Sequence, residues 1–508
     1  MRLLRRNLFW VYATYAVSIV SGLVTTPILV GGLGKTGFGV WAVIGSLTAY
    51  LALLDFGIGP AVVRFAAEQR GRRSPEETSA LASVGLAIYA VIGVLTLLLG
   101  ALAAWLLPYL VDLPESLVSP AQLATVLVVA GLAARFPLGL FGNLLVAQQR
   151  NDVLNIAGSI STLLYAIAVV VVFARGGGIV AVGGIVLVTT VLRLLLPLVW
   201  LRRELPALRL RPSLVTRAQL RELLAVSGDN LLIHLAGRVV FTADVIVVGI
   251  ALGAEQAALY AIPAKLFALA YGLGIAGTSL LYPAFAELEG ADDALRQRLY
   301  LRTGLRIGMA AMLVVALPLL LLPGEVIHAW VGDGFEGSTR VLVLLALALV
   351  IHQPITLLTQ YLMARGRQRP VARVMLVSVA VSLALSIVLA VTVGLWGVAL
   401  GTLLGELVML ALVPRLVAGV AGISLATLAR SLLRPVLPAL ALGIPVLAVA
   451  GRALDTDELL TLAPLGLLWI ALAAPVLWLF GLASAERKAL SRKLRPSRPP
   501  LAAVPDSL

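Results

Sequence analysis

The sequence predicts an all-α integral membrane protein of about fourteen transmembrane helices. Three observations carry that prediction. Of 508 residues, 60% are hydrophobic and 13% are charged, against roughly half and a quarter in ordinary soluble domains. Apolar runs of about twenty residues or more, enough to cross the hydrocarbon core of a bilayer, recur from one end of the chain to the other. The basic residues crowd into alternate segments between those runs, as the positive-inside rule requires. The same figures exclude a soluble enzyme, a disordered chain, a collagen-like fibre and a coiled coil, and no ten-residue alternating segments suggest a porin-type barrel.

The runs follow in order. The first, residues 8–31, comes after the basic start Met1-Arg2-Leu3-Leu4-Arg5-Arg6 and is too long for a signal-peptide core, so it reads as an uncleaved span. The second, 40–65, contains Asp55-Phe56-Gly57-Ile58-Gly59-Pro60, where glycine and proline weaken the helical ladder and predict a break. The third, 80–107, is opened by Ser74-Pro75-Glu76-Glu77, with serine at the N-cap, proline at the first helical position and glutamate at the third. The fourth (121–147) carries Arg135 and Pro137. The fifth (153–173) ends at the turn Gly176-Gly177-Gly178, and the sixth (179–201) carries Arg193 and Pro197. Thr216-x-x-Gln219 caps the lead-in to the seventh, 223–250, whose polar stretch Thr216 to Arg221 is expected along the membrane surface. The eighth (258–284) holds Pro263 and Lys265, and the ninth (303–322) holds Arg306. The tenth (341–362), eleventh (371–392), twelfth (397–417, with Glu406), thirteenth (432–450) and fourteenth (461–482) complete the set. Prolines within spans, Pro27, Pro137, Pro197 and Pro263, are kinks of the kind that let transporter lobes rock.

With the amino terminus inside, and with Arg373, Arg415 and Arg434 at the inner ends of their runs counted as inside, twenty-nine of the thirty-nine Lys and Arg residues fall on inside segments, four outside and six within spans. That split supports fourteen spans with both ends cytoplasmic. The net charge of +14 is therefore a topology and anionic-lipid signal rather than a nucleic-acid arm, and no nucleic-acid partner is expected. The organisation read from the sequence is an N-lobe at 1–201, a cytoplasmic linker at 202–222, a C-lobe at 223–417, two further helices within 432–482 and a basic tail at 483–508. Spans one to two and seven to eight also align at a shift of 219 residues: Leu33-Gly34 on Leu252-Gly253, Trp41-Ala42 on Tyr260-Ala261, and Ala67-Glu68 on Ala286-Glu287. The shift equals six spans, so the two copies share an orientation, as in transporters built from parallel repeats.

The stretch Gly32-Leu33-Gly34-Lys35-Thr36-Gly37-Phe38-Gly39-Val40-Trp41-Ala42, continuing through Leu53-Leu54-Asp55-Phe56-Gly57-Ile58-Gly59 to Val63-Arg64-Phe65-Ala66-Ala67-Glu68, resembles the amino-terminal signature of the polysaccharide-biosynthesis and O-antigen-unit flippases of the multidrug/oligosaccharidyl-lipid/polysaccharide exporter superfamily. Phe241-x-x-Asp244, Tyr260-Ala261-Ile262-Pro263-Ala264-Lys265 and Pro283-x-x-x-Glu287 are similar to the same family. The resemblance implies two pseudo-symmetric six-helix lobes around a central cavity, plus two carboxy-terminal helices. It implies movement of an undecaprenyl-pyrophosphate-linked glycan from the inner to the outer leaflet of the bacterial cytoplasmic membrane. It also implies membrane lipids as partners, and a polysaccharide polymerase and glycosyltransferases of the same pathway. It supplies no functional residues, which must come from physics.

An ionisable residue inside a span is costly and is by default a functional candidate. The cations Arg135, Arg238, Lys265, Arg193, Arg64 and Arg306 are candidates for an electropositive, hydrated path, since guanidinium groups match phosphate oxygens in bidentate fashion. The competing reading is structural: Arg238 paired with Asp244 or Asp229, and Arg64 and Arg306 snorkelling to the inner surface. The acids Asp55, Asp244, Asp229 and Glu406 are candidates for coupling to protons or sodium, against pairing with an arginine or capping of a broken helix. There is no cysteine, and the three histidines are scattered, so no metal site and no cofactor are expected. Walker A, GxSxG and HExxH patterns are missing from the sequence, and the outer loops are short, so a transporter is expected rather than an enzyme. The rival readings are a small-molecule antiporter of the same superfamily and an integral-membrane glycan polymerase or ligase.

Overall fold

A computed structural model describes residues 2–72, 74–279, 281–453, 459–481 and 487. Among the described residues there is no strand. The helices are α1 (Arg2–Leu51), α2 (Ile58–Arg72), α3 (Pro75–Leu110), α4 (Glu115–Ala147), α5 (Asn151–Ala174), α6 (Ile179–Glu204), α7 (Arg217–Leu252), α8 (Ala254–Ser279), α9 (Leu281–Gly290), α10 (Ala294–Leu321), α11 (Pro323–Val331), α12 (Ser338–Ala364), α13 (Gln368–Thr392), α14 (Leu395–Ala421), α15 (Leu425–Leu433), α16 (Val436–Ala453) and α17 (Leu459–Val476). Among the described residues, eleven stretches are long and apolar enough to cross a membrane. The chain packs as two units. One gathers Met1–Leu269, Pro323–Ala348 and Arg369–Met409; the other gathers Ala270–Leu322, Leu349–Gln368 and Leu410–Leu508.

The breaks between helices have local causes. Gly34 interrupts α1 at φ 68°, ψ 172°, and Gly253 ends α7 at φ 88°, ψ 173°, a region open essentially to glycine alone. These two positions are the ones the sequence repeat superposes. The same register recurs at the caps. The Ser74 side chain accepts from the N–H of Glu77 at the start of α3, and the Asp293 side chain accepts from the N–H of Arg296 at the start of α10. Thr216 caps α7 as its motif predicts, accepting from Gln219 N–H. The break foreseen at residues 55–60 is present: a 3₁₀ turn over Ala52–Asp55, then Phe56 and Gly57 at positive φ, then α2.

Prolines inside helices leave the carbonyl four residues earlier without its donor, and at three of them a side chain from another helix of the same unit fills the gap. Pro27 orphans the carbonyl of Leu23, and Trp330 Nε1–H on α11 donates to it at 2.9 Å. Pro263 orphans that of Leu259, and Ser338 Oγ donates to it at 2.6 Å. In the other unit Pro318 orphans that of Val314, and Trp469 Nε1–H on α17 donates to it at 2.7 Å. Hydrocarbon offers no water to such carbonyls, so each of these bonds also fixes one helix against another.

One end of the first unit is fastened by basic residues. Arg70 Nη1 at the end of α2 donates to the carbonyl of Ala147 at the end of α4. Arg150 pairs with Asp152 at the start of α5 and with Glu204 at the end of α6. The bonds to Asp152, then those to Glu204, hold the Arg150 guanidinium pKa above its ordinary value. The segment after α6 runs along α3, where Ser79 and Ser83 accept the N–H groups of Arg209 and Arg211.

Candidate functional site

Above that fastened end, the first unit encloses a cavity of about 520 Å³. Its wall comes from the carboxy-terminal halves of α4 and α6, the amino-terminal half of α5 and the break before α2. All of these lie toward the end carrying Arg70, Arg150, Arg202 and Arg203, because successive helices are antiparallel and their basic ends coincide.

The break before α2 places Asp55 on the wall. Its carboxylate accepts the N–H of Gly59 at 3.4 Å across the αL residues Phe56 and Gly57, so it sits against the positive end of α2. The other carboxylate oxygen accepts the hydroxyl of Tyr89 at 2.7 Å, and Asn143 Nδ2 donates weakly to that hydroxyl at 3.5 Å. Gly59 is where this network is tightest. A Cβ there would lie 3.2 Å from Asn143 Nδ2 and 3.3 Å from Tyr89 Oη, so any side chain would have to push those two groups by a few tenths of an ångström. Arg135 from α4 and Arg193 from α6 line the same cavity. The Arg193 guanidinium lies over Gly158 of α5, where a Cβ would stand 3.6 Å from Nη2.

Of the residues singled out in the sequence, Asp55, Arg135 and Arg193 are thus brought together on one wall. The others are elsewhere. Arg64 is exposed on α2, outside the cavity lining. Lys265 of α8 lies beside Gly22 of α1, its Cε 3.8 Å from a Cβ built there. Arg306 is in the other unit, on α10, where it lines a different cavity. The side chains of Arg238 and Asp229, on α7, lie outside the described residues.

Asp244, also on α7, is 3% exposed. It accepts the hydroxyl of Tyr260 on α8 at 2.6 Å, that of Ser386 on α13 at 3.3 Å and that of Thr402 on α14, so one carboxylate ties four helices. Glu406, one turn after Thr402 on α14, is equally buried. Sequence reasoning missed Tyr89 and Asn143. Each is a polar residue within a long apolar run, and that was the available signal.

Residues 4–289 match the model of the family described as polysaccharide biosynthesis protein. Among solved structures, the chain is similar to the lipid II flippase MurJ in an inward closed conformation, at 12% identity and a TM-score of 0.73, covering 92% of this chain and 98% of that one. It is also similar to a multidrug resistance MATE family transporter of the MOP superfamily in an inward-facing conformation (17%, 0.66, 80% and 94%). A eukaryotic MATE transporter gives a further match (15%, 0.60, 82% and 96%). These identities establish a shared fold. Curated protein sequences yield no match.

Proposed function

We propose that this chain, which belongs to the polysaccharide biosynthesis protein family, moves a polyprenyl-diphosphate-linked saccharide from the inner to the outer leaflet of a bacterial cytoplasmic membrane. The observation that carries the reading is the cavity on which Arg135 and Arg193 meet. A diphosphate entering hydrocarbon bare faces a Born cost on the order of 20 kcal/mol. Two guanidinium groups offset much of that by replacing water with fixed, fork-shaped donors. The polyprenyl tail stays in the bilayer while the headgroup passes through the protein. When the cavity is empty, Asp55 balances part of the cationic charge. With the basic ends inside, the cavity opens to the leaflet where the saccharide is built, and lobe rocking then carries it outward. A pathway polymerase is the natural recipient. Coupling, by proton or sodium, we assign to Asp244 ahead of Asp55, Asp229 and Glu406. Its carboxylate is sealed among hydroxyls that can share an exchanged cation.

A multidrug-type antiporter is the second reading, favoured by the fold it shares with MATE transporters. The charge balance of the cavity, two guanidiniums to one carboxylate, supports an anionic cargo instead. The test is flipping of a fluorescent polyprenyl-diphosphate disaccharide in proteoliposomes. Wild type is expected to move it, and the Arg135→Ala/Arg193→Ala variant to slow it about a hundredfold, near 1.4 kcal/mol for each guanidinium. Full flipping by the variant at equal protein level would overturn the reading. So would transport of organic cations with no lipid flipping.

A further inference from the structure

The wall that carries Arg135 and Arg193 holds a second chemistry, which a diphosphate alone does not use. On α4, Arg135, Gly139, Gly142 and Asn143 recur at helical spacing, and all four line the cavity. Asn143 is one turn from the end of α4 that Arg70 fastens, and Arg135 is eight residues deeper, about 12 Å along the axis. On the line between them a Cβ at Gly139 would meet nothing nearer than the Arg135 stem, at 4.0 Å. The helix therefore offers an open strip with a cation at one end and an amide at the other.

The break before α2 meets the amide end. A Cβ built on Gly59 would lie 3.2 Å from Asn143 Nδ2 and 3.6 Å from Asp55 Oδ1, so amide and carboxylate border one point of the wall. Both have bonding capacity left. A carboxylate has about four lone-pair sites, and Asp55 spends two, on the Gly59 N–H and the Tyr89 hydroxyl. Among the described residues nothing donates to Asn143 Oδ1, and Nδ2 makes only the 3.5 Å contact to Tyr89. Beside them Phe56 stands in the left-handed region at φ 48°, ψ 22°, a strained place for a bulky side chain. Its ring lines the cavity and is 40% exposed. Glycine would make the same turn without strain, so the turn does not account for an aromatic there.

An open aromatic face beside a carboxylate and an amide suits a sugar. Pyranose hydroxyls donate to a carboxylate and pair in both directions with an amide, and the C–H face of the ring lies on the negative face of an aromatic. The order of groups fits as well. With the basic ends inside, Arg135 lies deeper in the bilayer than Asn143. A lipid-linked saccharide entering from that side presents its tail deepest, then the diphosphate, then the sugar.

We propose that Asp55, Phe56 and Asn143 form a subsite for the pyranose joined directly to the diphosphate. The assignment rests on the transport reading and adds the part of the cargo that the cavity recognises. Once the diphosphate neutralises Arg135 and Arg193, the Asp55 carboxylate is released from balancing them and accepts sugar hydroxyls.

The experiment measures binding to the purified full chain in phosphatidylcholine nanodiscs by native mass spectrometry. The probes are a polyprenyl diphosphate and the same lipid bearing glucose, galactose or N-acetylglucosamine. Wild type is expected to hold the tightest of the three sugar-bearing lipids at least tenfold more strongly than the bare diphosphate. Phe56→Gly should cut that preference at least fivefold while raising the thermal midpoint, because glycine relieves the turn. A loss of preference in a protein made more stable is not a folding defect. Asn143→Leu should cut the preference by a similar factor, and Phe56→Tyr, which keeps the ring, should retain it. If wild type binds the bare diphosphate but prefers none of the sugars, the subsite is overturned and the transport reading stands. If wild type binds none of the four lipids, both fall together. An undiminished preference in Phe56→Gly and Asn143→Leu overturns the assignment to these residues.

Discussion

Two carboxylates in the first unit answer the same problem in different ways. Asp55 and Asp244 each accept a tyrosine hydroxyl, from Tyr89 at 2.7 Å and Tyr260 at 2.6 Å. Asp55 faces a cavity that also holds Arg135 and Arg193, and it caps a helix that starts afresh after a break. Asp244 is sealed, and two more hydroxyls, from Ser386 and Thr402, complete its shell. The open carboxylate faces a cavity that two guanidinium groups also line; the sealed one has only what the fold supplies. The difference teaches that an acid in a span takes its role from what surrounds it, and residue type alone does not distinguish the two roles.

The strongest way to break this comparison is to neutralise each acid in turn. Asp244→Asn removes the charge that three hydroxyls address in a dry site. It is expected to destabilise the protein by about 3 kcal/mol, since hydrogen bonds to charged groups are the strong ones and their partners are left buried. Asp55→Asn should cost about 1 kcal/mol or less, because water in the cavity can replace what is lost. Unfolding in mixed micelles measures both. Equal losses would mean that Asp55 is as sealed as Asp244.

A smaller effect sharpens the open side. Gly59→Val places methyl groups where Asn143 and Tyr89 approach. It is expected to cost about 2 kcal/mol, as overpacking does, and to slow lipid flipping by turning Asp55 away from Tyr89. Gly31, around which nothing lies within 4 Å of a built Cβ, provides a valine control that should leave flipping unchanged.

Much of the fold was legible because its causes are local. The caps at Ser74 and Thr216 need only the first helical turn. The break at residues 55–60 is set by adjacent glycines and proline, and the repeated turn at Gly34 and Gly253 by a backbone conformation that excludes side chains. The site was legible only in part. Arg135, Arg193 and Asp55 stood out as charges in apolar runs, but nothing in the runs specified that their faces meet. Tyr89 carries no charge to mark it within its run, and its part in the site depends on α3 packing against the break. Arg302, Arg430 and Arg434 were counted as topology charges, and it is the approach of α15 to α10 that turns them into a cluster. Side-chain pairing between helices far apart in sequence is a tertiary property, and hydropathy carries no record of it.

The smallest effect tests whether sealing alone, without charge, makes a bond count. Trp330 is 4% exposed, and its indole N–H reaches the Leu23 carbonyl more than three hundred residues away in sequence. That carbonyl needs a donor only because Pro27 has none to give. Trp330→Phe is therefore expected to cost about 1 kcal/mol in the native background, in line with neutral hydrogen bonds inside membrane proteins. In a Pro27→Ala background residue 27 regains its N–H and bonds Leu23 itself, so the hydrogen-bond part of the cost should vanish, leaving only the packing difference between the two rings. The coupling energy of this double-mutant cycle isolates the proline-made vacancy. A coupling near zero would show that the indole contributes through packing alone. Then the contrast between Asp244 and Asp55 would have to rest on charge, with burial playing no separate part.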